Sequence, residues 1–164
     1  MLYFMKDLNQ LLRFLLENRL EFVLVGGLAG VIHGSAQVTQ DVDICLIPKA
    51  DTIQDLRRIL SPLHPKHRMT PQKLSFLTEP RDISVVKNLY LDTELGPLDI
   101  LGEVKGVGNY ERVRNSAITA EVFGFSCYVI SLDDLILTKR AMGRPKDKAA
   151  LVELLAIKEK FKMK

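Results

Sequence analysis

The chain of 164 residues reads as an α/β (α+β) protein, with a mixed central β-sheet flanked by helices and followed by C-terminal helices. Three observations predict this. Helical and strand-like periodicities alternate along the chain, with no repeat, low-complexity tract or linker between them. The short apolar run Phe22–Val25 and the alternating segment Asp41–Ile47 end on glycine and proline, as strands entering turns do. Two acid-bearing segments, Asp41–Ile47 and Pro97–Leu101, must be neighbouring strands if their carboxylates serve one site, and then lie within about 6 Å of each other.

The elements follow in order. Leu8, Leu11, Leu12, Leu15 and Leu16 keep the i, i+3, i+4 spacing of an amphipathic helix. Phe22–Val25 is a buried strand that turns at Gly26-Gly27 into a short helix over Leu28–His33. From Asp41 to Ile47 the pattern alternates, with Val42, Ile44 and Leu46 on one face and Asp41, Asp43 and Cys45 on the other. Pro48 ends that strand, and Asp51 is positioned to cap a helix reaching Leu60. Ser61–Arg81 holds four prolines, His64 and His67, and reads as irregular apart from a short strand around Lys73–Leu77. Lys87–Thr93 and Pro97–Leu101 form a hairpin around Glu94-Leu95-Gly96, Glu111–Ser116 is helical, and Ile118–Phe123 pairs with Ser126–Ile130 across Gly124. Ser131 opens a helix in a capping-box pattern with Asp134, that helix stops near Gly143, and Pro145 starts the last one towards Lys160. The length fits a single domain, residues 22–130 forming its core and 131–164 its C-terminal helices.

Composition narrows the class. Hydrophobic residues make up 47% and charged residues 26%, too apolar for a disordered chain. There is no run of eighteen apolar residues, so no membrane span is expected. The apolar stretch Met1–Met5 is interrupted from Lys6 onward and lacks a cleavage site, which argues against a signal peptide. Cys45 and Cys127 sit in strand-like runs and read as buried free thiols of a cytoplasmic protein. From Lys139 to the end, nine Lys/Arg against three Asp/Glu give a balance of +6, which leaves −3 for the remainder of a chain with net charge +3. A basic segment of this kind faces polyphosphate or nucleic acid, or is simply a solvated helix face.

Four features converge on chemistry, each with a plainer structural explanation beside it. Gly26-Gly27 after a buried strand lets a phosphate approach the backbone, although a Gly-Gly turn is more often only a turn. Asp41 and Asp43, two apart on a strand, project together and repel unless a cation lies between them. Such an oxygen-rich pair suits Mg²⁺ or is an exposed strand face. Asp99, flanked by Leu98 and Ile100, needs a partner if buried, which a shared metal supplies, or it is a strand-end acid facing water. Lys139, with Arg140, Arg144 and Lys146 close by, meets a triphosphate as a point charge or stands on a helix surface.

The spacing of these residues resembles a known signature. A hydrophobic residue before Gly26-Gly27, thirteen intervening residues, and then Asp41-Val42-Asp43-Ile44 are similar to the motif of the DNA polymerase β-like nucleotidyltransferase superfamily. Asp99 takes the place of its third carboxylate. Leu132–Lys139 followed by Gly143-Arg144-Pro145-Lys146-Asp147 resembles the C-terminal part of the minimal nucleotidyltransferases and the AbiEii-like proteins of toxin–antitoxin systems. The resemblance implies the nucleotidyltransferase fold and a transfer of NMP from an NTP to a hydroxyl acceptor with release of pyrophosphate. It assigns Asp41, Asp43 and Asp99 as catalytic metal ligands, with Asp99 also activating the hydroxyl. It places the triphosphate on Gly26 and Gly27, and the charge of Lys139 adds that residue to nucleotide binding. Two Mg²⁺ ions, or Mn²⁺, are the implied cofactors. The implied partners are the NTP, a hydroxyl acceptor such as tRNA, other RNA, a protein or a small molecule, and a cognate antitoxin or a second copy of the chain. Two positions depart from the pattern. Gly27 stands where many members have serine, which removes a hydroxyl contact to phosphate, and Gln37 stands where some relatives have arginine.

Two other functions fit parts of this pattern. A catalytically silent nucleotide- or RNA-binding relative would be expected to lack an acid, and all three are present. A two-metal phosphohydrolase would commonly add a metal-binding histidine, for which His33 is the one residue near the motif.

Overall fold

The computed structural model describes residues 2–163; the side chains before Leu8, and with them the apolar stretch Met1–Met5, lie outside the described residues, as does Lys164. Among the described residues six α-helices and nine strands follow one another as α1 (Leu2–Glu17), β1 (Val23–Val25), α2 (Gly26–Ile32), β2 (Val42–Cys45), α3 (Ala50–Leu60), β3 (Lys66–His67), β4 (Asn88–Thr93), β5 (Gly96–Leu101), β6 (Glu103–Val104), β7 (Gly108–Asn109), α4 (Tyr110–Ser116), β8 (Ile118–Val122), β9 (Phe125–Val129), α5 (Leu132–Met142) and α6 (Pro145–Lys162). Seven strands form one mixed sheet in the order β3-β4-β5-β2-β1-β9-β8, and β6 with β7 forms a separate small hairpin. No helix among the described residues is long and apolar enough to cross a membrane.

The helix periodicity of the N-terminal segment places Leu8, Leu11, Leu12, Leu15 and Leu16 in the core, where α1 packs on β5, β2 and β9. Alternation does the same for the central strands: Val42 and Ile44 of β2 and Leu98 and Ile100 of β5 are all but fully buried. At the far end of β2, Cys45 is also buried, because the sheet is covered on both faces there; both cysteines are free thiols. Burial pushes the Cys45 thiol up to about 12 and the Cys127 thiol up to about 11.

Several sequence expectations need correction. Asp51 does not cap α3. Lys49 holds the cap position with no side-chain hydrogen bond, and Asp51 lies inside the first turn, where its negative charge interacts favourably with the positive end of the helix dipole. The strand expected around Lys73–Leu77 is absent; the strand of that region is β3, and Ser75 makes only an isolated bridge to Lys66. The capping box at Ser131 is half formed. Ser131 Oγ accepts from the Asp134 amide at 3.1 Å, but the Asp134 carboxylate is taken in a bidentate grip by Arg112 at 2.8 and 2.9 Å. The hairpin β6–β7 went unforeseen, since two-residue strands carry no period to read.

Candidate active site

Strand register assembles the acids. β2 and β5 run parallel with Asp43 directly paired to Asp99, so the two side chains leave the sheet on the same face. Asp41, two residues earlier, joins them, and carboxylate oxygens of Asp41, Asp43 and Asp99 lie within 4.8 Å of one another. On the other side β1 runs antiparallel to β2 with Val25 opposite Asp43, so the chain turns at Gly26 beside that carboxylate. Gly26 has φ +68°, and a Cβ there would stand 2.0 Å from Asp43 Oδ2. The first glycine of the pair is therefore required both by its left-handed backbone and by the acid itself.

The second glycine has a different reason. A Cβ on Gly27 would meet Thr39 Oγ1 at 2.6 Å and Thr39 Cβ at 2.7 Å. The space a serine would need is filled by Thr39, whose hydroxyl donates to Asp41 O at 3.1 Å. The missing hydroxyl noted in the sequence is thus matched by one from the facing loop. That loop is tied to α6: Ser35 Oγ donates to Glu153, and the Ala36 amide donates to Glu153 Oε2 at 3.0 Å.

The electrostatics are those of an acid cluster short of positive charge. Burial, then the charge of Asp99, raises the Asp41 carboxyl above its ordinary range, against the opposing pull of Arg68 and Lys146. Burial, followed by the charges of Asp41 and Asp99, raises Asp43 well above its ordinary range, with Lys139 opposing. Three hard oxygen donors in this state match what Mg²⁺ takes from a protein.

Sequence reasoning missed Arg68. Its guanidinium donates to Asp99 Oδ1 at 2.5 Å and to Leu91 O at 3.0 Å, with the Arg68 side chain 25% exposed. It arrives at the end of β3, within the stretch read as irregular, and nothing in the residue pattern there marks which side chain returns to the acids.

The basic residues cluster around a second, fully buried acid. Asp147 accepts from Arg144 Nε at 2.6 Å and from the Arg144 amide at 3.2 Å, and Lys139 Nζ lies 3.5 Å away. Burial opposes its ionisation, but the hydrogen bonds from Arg144 and the charge of Lys139 prevail and hold this carboxyl below its usual range. The same cations reach the acid cluster: Lys139 acts on Asp43, Lys146 on Asp41, and Arg144 on both. His33 is not near this chemistry as a ligand; its Nε2 is hydrogen-bonded to Ile130 O at 2.7 Å.

No protein-family profile matches the sequence, and no curated protein matches it either. Solved structures do. The lincosamide antibiotic adenylyltransferase LnuA, bound to lincomycin, is similar with a TM-score of 0.62 and 19% identity over 93% of this chain and 96% of that one. A Thermotoga maritima protein described as a nucleotidyltransferase is similar with a TM-score of 0.58 and 17% identity over 90% and 91%. The chain has the nucleotidyltransferase fold. The mixed sheet and flanking helices expected from the sequence are those of that fold, and the acid cluster lies on its central strands.

Proposed function

We propose that this chain is a metal-dependent nucleotidyltransferase that moves an NMP from an NTP to a hydroxyl acceptor. The observation that carries the reading is the in-register pairing of Asp43 with Asp99, with Asp41 beside them, on the central strands of a nucleotidyltransferase fold. Asp41, Asp43 and Asp99 would hold Mg²⁺, or Mn²⁺ in its place. When bound, two such ions supply the positive charge that steadies the attacking and leaving oxygens. The chain's own groups do the rest. The Gly26-Gly27 turn presents backbone to the triphosphate, and Lys139, held by Asp147, adds a fixed cation on that side. Asp99 takes the proton of the acceptor hydroxyl as its oxygen bonds to the α-phosphorus. The bond from that phosphorus to the β-phosphate oxygen breaks, and pyrophosphate leaves.

Residues 1–164 act as one domain in this reading, in the cytoplasm, where the free thiols of Cys45 and Cys127 stay reduced. A toxin–antitoxin role, with a cognate antitoxin or a second copy of the chain as partner, belongs to the same proposal and is supported only by the resemblance of the Leu132–Asp147 segment. Adenylyl transfer to a small hydroxyl compound is supported by the likeness to LnuA. The test is incubation with each α-labelled NTP and Mg²⁺, with and without total RNA and a small-molecule extract. Labelled product is expected from one NTP; absence of label in every fraction overturns the proposal.

A further inference from the structure

Strand β3 follows β4 only briefly. Lys66 pairs with Asp92 and His67 with Leu91, the Arg68 amide donates to Tyr90 O at 2.8 Å, and the chain then leaves the sheet. Where pairing stops, a cavity of about 420 Å³ opens along the first half of β4. That volume suits a small organic ligand. Met69, Leu74, Val85 and Tyr90 line it and are exposed around one opening rather than scattered singly. Thr70 lies in the same wall, and its Oγ1 is shut from water with no hydrogen-bond partner, the one such side-chain atom among the described residues.

The cavity adjoins the acids through Tyr90. Tyr90 is paired directly with Asp99 across β4 and β5, and residues so paired share a face with their Cβ atoms about 5 Å apart. Arg68 links the two as well, bonding the Tyr90 carbonyl with its amide and Asp99 with its guanidinium. The polar group of a molecule in the cavity that extends past Tyr90 therefore arrives at the Arg68–Asp99 pair. One cation, Arg68, is paired with Asp99, whereas Lys139, Arg144 and Lys146 act on Asp41 and Asp43, so of the three clustered acids Asp99 is the one joined to the cavity wall through Tyr90 and Arg68. The cavity lining holds one acid, Glu79, and one base, Lys87, and so has no net charge with which to hold a phosphate backbone.

We infer that this cavity is the acceptor pocket and that the acceptor is a small, uncharged, largely apolar molecule bearing a hydroxyl group. The inference rests on the nucleotidyl-transfer reading above. The apolar body lies against Met69, Leu74 and Val85, and the hydroxyl points past Tyr90, gives its proton to Asp99 and attacks the α-phosphorus, with pyrophosphate as leaving group.

Two measurements on the full chain test it. In the first, 2-phenylethanol is titrated at millimolar concentration against the wild type and Val85→Trp, with amide chemical shifts as the readout. Shifts at Met69, Thr70, Val85 and Tyr90 that saturate in the wild type and need about ten-fold more ligand in the variant are expected. Absence of shifts at these residues overturns the pocket whether or not the chain is a transferase. In the second, label from α-labelled NTP is followed into RNA and into molecules under one kilodalton. Label in the small-molecule fraction, reduced about ten-fold by Val85→Trp while NTP binding is unchanged, supports the acceptor class. Label in RNA that Val85→Trp does not diminish overturns the inference and leaves nucleotidyl transfer standing.

Discussion

Replacing Asp43 with asparagine should stabilise the metal-free protein while removing its activity. Asp43 shares a partly buried site with Asp41 and Asp99, their oxygens within 4.8 Å. Two charges at that separation in an effective dielectric constant of about 20 repel by about 3.5 kcal/mol. Lys139 offsets part of this, which leaves a net gain of about 1–2 kcal/mol for removing the Asp43 charge. Asparagine keeps the shape against which Gly26 packs. For a chain of this length the gain appears as a rise in Tm of about 2–8 °C. The assay is thermal unfolding in EDTA at neutral pH. Because the folded Asp43 carboxyl titrates above its ordinary range, its protonated form favours the fold. Wild-type stability is therefore full below the ordinary carboxylate range and declines as pH rises through the raised value. Wild type and Asp43→Asn should coincide in acid and separate above it. Adding Mg²⁺ should reverse the order, since metal binding stabilises the wild type by mass action. A variant with unchanged or lower Tm in EDTA at neutral pH would refute the reasoning.

Three further perturbations probe the surroundings. Gly27→Ser should cost about 1–3 kcal/mol by forcing a Cβ onto Thr39, and Thr39→Gly should restore most of it in the double variant, read by urea unfolding. Asp147→Ala, by leaving Lys139 and Arg144 facing one another unpaired, should cost about 2–4 kcal/mol at neutral pH. Because the folded Asp147 carboxyl lies below its usual range, its contribution is present above that range and lost as pH falls through the depressed value, so wild type and variant converge in strong acid. Arg68→Gln should enlarge the rise in Tm produced by Mg²⁺, because Asp99 loses the cation paired with it; an unchanged rise would place Arg68 outside the acid cluster's balance.

Much of the site was legible because it obeys local periodicities. Two acids spaced two apart on an alternating segment must share a face, and glycines after a buried run must turn. The hairpin Asn88–Leu101 was readable from its turn, and with it the position of Asp99 on a strand. The long-range part was not. Arg68 reaches Asp99 through a two-residue strand, Thr39 fills the space beside Gly27 from across a loop, and Asp147 draws Lys139 and Arg144 together from two helices. Each depends on packing between segments whose residues follow no common period. The same holds for Asp134, where an arginine from another helix displaced the local capping bond that the sequence favours.

The products of NTP turnover distinguish nucleotidyl transfer by the three acids from any other use of the site. With Mg²⁺, NTP and an acceptor-containing extract, pyrophosphate should be released by the wild type and not by Asp43→Asn, which retains the fold. Release of inorganic phosphate in place of pyrophosphate, or equal pyrophosphate release by both proteins, would rule out nucleotidyl transfer by Asp41, Asp43 and Asp99.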